Sequence, residues 1–192
     1  IDRVSASANM NNRLSEAIVE AYKSTNGAPI SFELMLKCYQ SRMKDANNDD
    51  SISSVLKQLV NAHIFESEDK VSLIDDSYII KMDGYPKDGP IAKAIVYFLM
   101  SKLNNIYELL DKQAVNDEVV QIRHFSIIDE AHYMLDFDNR PLRNLIAVGR
   151  NKGLSIILAT QNMSSFKSKG FDFYANAQYP LIMKQQTIDD KV

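Results

Sequence analysis

The residues best suited to chemistry lie in Phe125-Ser126-Ile127-Ile128-Asp129-Glu130-Ala131-His132, a short apolar run that ends in two adjacent carboxylates. An apolar run of this length reads as a buried strand. Ligands of open α/β sheets bind just outside the carboxyl ends of the strands, which puts Asp129 and Glu130 at the reactive edge. Successive side chains leave a strand in different directions. One carboxylate can therefore hold a divalent cation while its neighbour, free of the metal, orients and polarises a water molecule. The plain alternative is a buried strand that ends in a solvated acidic turn.

A second element follows about thirty residues on. Ser155-Ile156-Ile157-Leu158-Ala159 is another apolar strand, and it ends in Thr160 and Gln161. If the two strands are neighbours, Gln161 falls beside Glu130. Its amide could then hydrogen-bond a γ-phosphate or the attacking water. A strand-end glutamine in a solvated loop is the bland reading. Between the two strands lies Gly149-Arg150-Asn151-Lys152-Gly153, whose glycines suit a tight helix-to-strand connection. Arg150 keeps its charge at any pH and can fork onto phosphate oxygens, or it can serve a helix C-terminus. A lone histidine makes a poor metal site, so His132 is expected to orient loop backbone or to pack. His63 and His124 are assigned to structure. Lys167 and Lys169 could touch phosphates, but exposed loop lysines are ordinary.

The elements that must carry these residues change character near residue 70. Residues 1–69 read as a helical subdomain, with helices through Leu14 to Tyr22, Phe32 to Tyr39 and Val55 to Val60. Asn26-Gly27-Ala28-Pro29 breaks the first, Ser31 caps the second, and Ser51 or Ser53 is expected to cap the third. Followed by a strand at 71–74, this is also a winged-helix outline, although its acidic loops would repel phosphates. Residues 70–192 read as α/β. Strands are expected at 78–82, 125–128, 155–159 and 179–183, with helices at 91–110 and 141–150. Alternating strands and helices argue for a largely parallel sheet flanked by helices.

Bulk composition narrows the classes. The chain has 192 residues, a net charge of −3 and 45% hydrophobic residues, enough for a core but with no global basic signature of a nucleic-acid binder. The single cysteine, Cys38, cannot form an internal disulfide and reads as a small core hydrophobe in a reducing compartment. No apolar run approaches a membrane span. The chain starts at Ile1 without a signal pattern, and is expected to be a piece of a larger cytoplasmic protein.

The joint pattern of Ile127-Ile128-Asp129-Glu130-Ala131-His132 and the stretch from Gly149 to Gln161 resembles the HerA/FtsK superfamily of hexameric DNA-pumping ATPases, over roughly residues 70–192. The resemblance implies a RecA-like P-loop ATPase core, ATP and Mg²⁺ as ligands, a homo-hexameric ring, and double-stranded DNA through its pore. Asp129 would be the Mg²⁺-side carboxylate of a Walker B motif, Glu130 the catalytic one, Gln161 the sensor that also meets nucleotide, and Arg150 a finger acting on a neighbouring subunit. Residues 172–180 are similar to HerA-like proteins of bacterial defence such as the DndH ATPase of phosphorothioation-dependent restriction, which implies defence-system partners. One departure stands out. No Gly-x-x-x-x-Gly-Lys-[Ser/Thr] occurs in the sequence, so β- and γ-phosphates lack their cradle and the chain is expected to be inactive alone. Two rivals remain. Asp129-Glu130-Ala131-His132 also spells the signature of DEAH-type superfamily 2 helicases, and a non-catalytic interaction module with a vestigial ATPase fold would show the same strands.

Overall fold

The structure is a computed structural model that describes residues 6–45, 48–64, 72–116, 119–161, 163–168 and 171–183, the side chains of Met163, Lys167 and Ser168 excepted. Among the described residues it is a mixed α/β chain with six α-helices and three two-stranded sheets. Contacts divide it into two units, Ile1–Leu103 and Asn104–Val192, with the boundary inside the long helix.

The first unit is built on helices α1 (Ala8–Ser24), α2 (Phe32–Gln40) and α3 (Ser51–Asn61), each packed on the next in sequence. Ser31 caps α2 as its spacing predicts, its Oγ accepting from the Leu34 N–H at 3.1 Å. The cap of α3 is Asp50, not Ser51 or Ser53. Asp50 Oδ1 accepts from the N–H groups of Ile52 (3.1 Å) and Ser53 (2.9 Å), while Ser53 Oγ accepts from the Asp50 N–H at 2.9 Å. Ser53 is thus the reciprocal partner of a capping box rather than the cap itself. The other oxygen, Asp50 Oδ2, accepts from the Tyr39 hydroxyl at 2.6 Å and from Arg13 Nη1 at 3.1 Å. One carboxylate therefore ties α1, α2 and α3 together over a core that includes Ala17, Ala21, Cys38, Leu56 and Leu59. Ala94 and Ile95 of α4 (Pro90–Leu109) complete that core, with Met82 and Tyr85 packed against it. Residues 82–99 thus belong with the helices, although the sequence changes texture at residue 70.

Two expected strands do not form here. Val71 lies outside the described residues, and Leu73 and Ile74 sit in a turn that Ser72 closes by donating to Asp75 Oδ2 at 2.5 Å. Among the described residues, 78–82 have no ladder partner, and Ile79 is 88% exposed. A β-prone sequence becomes a strand only where another strand takes its N–H and C=O groups.

In the second unit, β1 (Val115–Asn116) and β2 (Val119–Val120) form a small antiparallel pair. β3 (His124–Ile128) and β4 (Leu154–Leu158) pair in parallel over five residues, joined by α5 (His132–Leu135), α6 (Arg140–Val148) and a 3-10 turn at Arg150–Lys152. This pair is the part of the expected parallel sheet that the described residues contain. After a second 3-10 turn at Met163–Phe166, β5 (Lys167–Ser168) pairs antiparallel with β6 (Phe171–Asp172). Residues 179–183 form no ladder with any described residue, and Leu181 is 89% exposed. Their expected strand is not seen among the described residues.

The Asp50 knot sets two measurable properties of the first unit. Burial raises the Asp50 carboxyl, but hydrogen bonds from Ser53 and Tyr39 and the charge of Arg13 outweigh it, so its pKa falls below the ordinary 3.8. Burial and the Asp50 carboxylate push the Tyr39 hydroxyl from 10.0 up to about 12. A lowered carboxylate contributes stability above its unfolded pKa and loses it as pH falls through the folded value. A raised phenol contributes below 10.0 and loses it as pH rises toward about 12. Chemical denaturation should therefore show a stability plateau near neutrality with losses on both sides, and Tyr39→Phe should flatten the alkaline arm and, because its hydroxyl helps to lower Asp50, shrink the acid arm as well. At neutral pH, Asp50→Ala should cost about 3 kcal/mol through the lost cap and charge-assisted bonds, and Asp50→Asn clearly less.

Candidate functional site

The register of β3 and β4 decides where the candidate residues meet. His124 lies opposite Leu154 and Ile128 opposite Leu158, so both strands end level. Two backbone bonds continue the pairing beyond the strands. Ala159 N–H donates to Ile128 O at 2.9 Å, and Ala131 N–H donates to Ala159 O at 2.8 Å. Residues 129–131 and 159–161 are thereby fixed side by side at the carboxyl edge.

Two glycines deliver β4 to that register. Gly149 closes α6, donating its N–H to Leu145 O at 2.8 Å and accepting from Leu154 N–H at 3.0 Å. Gly153 has φ +81°, and its carbonyl accepts from the N–H groups of Arg123 (2.7 Å) and His124 (3.1 Å), which locks the start of β4 to the start of β3.

Glu130 is the unusual residue of the edge. Its φ is +50°, the left-handed region that residues with a Cβ seldom adopt. Its N–H donates to Asp129 Oδ1 at 2.9 Å. The turn separates the two carboxylates. Asp129 is exposed, whereas Glu130 is half-buried. Gln161 Nε2 donates to Glu130 Oε1 at 2.8 Å, across 31 residues of sequence. Glu130 Oε2 is buried and has no hydrogen bond, and it lies 3.3 Å from His132 Nδ1. That nitrogen is also 3.4 Å from Thr160 Oγ1, and the His132 ring stacks tilted on Tyr133 with centroids 4.1 Å apart. The structure thus brings Asp129, Glu130 and Gln161 together and adds His132 and Thr160 to them. His132 does more than the orienting or packing role its isolation in sequence suggests. The signal was its position two residues after Glu130, which only the turn geometry makes meaningful.

Comparison with protein-family models finds no match. A search of curated proteins finds none either. The arrangement must therefore be read on its chemistry alone.

Arg150 is exposed at the start of the β4 segment, with the whole strand between it and Gln161. It is not part of the carboxylate cluster. Lys169 lies outside the described residues, and so does the side chain of Lys167. The remaining described cations near these elements are engaged elsewhere. Lys152 Nζ donates to the carbonyls of Tyr107 (2.6 Å) and Glu108 (2.9 Å), closing the last turn of α4. Arg140 and Arg143 both pair with Asp138. With the Gln113 amide turned so that its oxygen faces Arg123, the guanidinium donates to it at 2.7 and 2.8 Å. His124 sits half-buried on β3, where burial lowers its pKa and favours the neutral ring.

Among the described residues no three of His, Cys, Asp and Glu gather into a metal cage. An exposed carboxylate such as Asp129 fits a different kind of ion. Mg²⁺ keeps most of its waters and is commonly held by one or two carboxylates together with substrate phosphates. The edge can therefore present one carboxylate to a hydrated cation, and a second, oriented by an amide, to a water molecule.

Gly153 gives this positioning a test. A Cβ there would meet Gln121 O at 2.8 Å and Arg123 N at 3.0 Å, in addition to the cost of a left-handed φ. Gly27 has φ +85° with nothing within 4 Å. Gly153→Ala should lower unfolding stability by about 2–3 kcal/mol and Gly27→Ala by about 1 kcal/mol, as read by chemical denaturation.

Proposed function

We propose that this chain is the water-activating half of a P-loop ATPase of HerA/FtsK type, a ring-forming motor that drives double-stranded DNA, with the phosphate-binding loop supplied by sequence outside these 192 residues. The observation that carries the reading is the hydrogen bond from Gln161 to Glu130 at the level ends of two parallel strands. A parallel pair joined by helices, a carboxylate pair after one strand and an amide after its neighbour are what positioning plus electrostatics require of this reaction. Glu130 polarises the attacking water, Gln161 reports on the nucleotide through the same carboxylate, and Asp129 would hold the Mg²⁺ that accompanies ATP. The ion would supply neutralisation of charge on the phosphates. Arg150 would act in trans, in keeping with its place away from its own cluster.

The open face of the sheet supports the same reading. Phe125 is 56% exposed, Ile127 70% and Ile157 45%, all on one side of the β3–β4 pair. Parallel sheets are normally covered on both faces. A RecA-like core, with more strands and helices, would bury this surface. The proposed place in a bacterial DNA-defence system rests only on the resemblance of residues 172–180.

The test is ATP turnover, with and without double-stranded DNA, by this chain and by a longer polypeptide that includes a phosphate-binding loop. The chain alone should be silent and the longer protein DNA-stimulated. In the longer protein, Glu130→Gln should keep ATP binding and lower kcat by about 10²–10⁴-fold. Unchanged turnover would remove Glu130 from its role, and turnover by this chain alone would sink the half-site reading.

A further inference from the structure

Glu130 carries a polar atom that its immediate partners leave unanswered. Oε1 accepts from Gln161 Nε2 at 2.8 Å, but Oε2 is buried and makes no hydrogen bond. A buried carboxylate oxygen without a donor is costly, and such an atom normally marks a partner whose proton has not been assigned. His132 Nδ1 lies 3.3 Å from Oε2. Imidazole is the side chain whose donor pattern depends on which nitrogen holds the proton.

Two arrangements compete for that nitrogen. In the first, Nε2 holds the proton and Nδ1 accepts from the Thr160 hydroxyl at 3.4 Å. This leaves Oε2 buried and unanswered. In the second, Nδ1 holds the proton and donates to Oε2, with Thr160 Oγ1 as a more distant second acceptor. The two atoms already stand 3.3 Å apart without a formed hydrogen bond, so a turn of the neutral ring that aims Nδ1–H at Oε2 would satisfy the orphan atom.

We propose that His132 is a positioning residue for Glu130, its Nδ1–H holding Oε2 while the Gln161 amide holds Oε1. The carboxylate is then clamped at both oxygens, by groups that follow β3 and β4 respectively. A left-handed backbone at Glu130 needs such over-determination, because the surroundings must hold what the residue itself disfavours. The clamp also fixes the plane of the carboxylate, and with it the direction from which a water can approach. Release of either oxygen would free Glu130 to turn. His132 touches no substrate and acts only through Glu130.

The inference rests on the ATPase reading for the purpose of the clamp, but not for the contact. The contact is tested on the 192-residue chain by long-range ¹H–¹⁵N correlation spectra, which report the protonated nitrogen of each neutral imidazole. His132→Asn identifies the His132 signals by their loss. The expected result is Nδ1–H at His132 in the wild type, a change to Nε2–H in Glu130→Ala, and no change in Thr160→Val. Nε2–H in the wild type, or a tautomer indifferent to Glu130→Ala, overturns the proposal. The purpose is tested in a longer protein that turns over ATP. His132→Ala should lower kcat roughly ten- to a hundredfold with KM unchanged. His132→Asn, whose amide can place a donor where Nδ1 stands, should restore most of it. Equal losses in both variants would reduce His132 to packing on Tyr133 and overturn the positioning role. A longer protein with no ATPase activity would overturn the motor reading instead, while the tautomer decides the contact independently.

Discussion

The candidate site depends on one constraint, the in-register parallel pairing of β3 and β4 over five residues. Glu130 and Gln161 are 31 residues apart in sequence and meet only because the two strands end level. The side-chain period of a strand is two, so a slip of one residue would turn Gln161 to the other face and break the bond to Glu130. The fold guards against that slip at both ends. Gly153 accepts two N–H groups from the start of β3, and Ala131 and Ala159 carry the pairing past the strand ends. Glycine at 153 is a steric requirement, and the register of the site is fixed by a residue that takes no part in its chemistry.

The first unit is held by a different device. Asp50 satisfies the exposed N–H groups of one helix and binds side chains of two others. A carboxylate in that place stabilises because every lone pair is used. The same group type at Glu130 is left partly unanswered by the protein's most evident donors. The contrast separates a structural carboxylate from a poised one. Asp50 is saturated and its pKa is lowered, whereas Glu130 sits in a strained backbone with one buried oxygen set beside His132.

Much of this was legible in the sequence, and the reasons for the rest are physical. The helices α1 to α4, the strands β3 and β4, and the adjacency of Glu130 to Gln161 all follow from apolar period and strand-end chemistry. Segments 78–82 and 179–183 have equally strand-like composition, yet remain unpaired among the described residues, because composition does not say whether a ladder partner is at hand. Asp50 ends the acidic run Asp45-Ala46-Asn47-Asn48-Asp49-Asp50 and nothing in its composition singles it out, since the decisive feature is a distant tyrosine and arginine. The left-handed turn at Glu130 has no sequence signature, as glutamate rarely adopts it. Without that turn His132 looks isolated. With it, the imidazole comes within reach of a buried oxygen.

The distribution of positive charge completes the argument. A nucleotide at the edge of β3 and β4 would bring several negative charges up to two carboxylates. Among the described side chains of the second unit, Lys152 is spent on the end of α4, Arg140 and Arg143 on Asp138, and Arg123 on Gln113. Lys112 adjoins Gln113, whose N–H binds Asn151 O, and so it sits with Arg150 at the far end of β4. Oriented carboxylates without cations can activate water and hold a hydrated metal, but they repel phosphate. Among the described residues the chemistry at this edge is therefore one-sided, and under the ATPase proposal a phosphate-binding side would have to bring its own lysine and backbone amides to it. On that proposal the arrangement of charge, more than the fold, is what calls for further groups to complete the site.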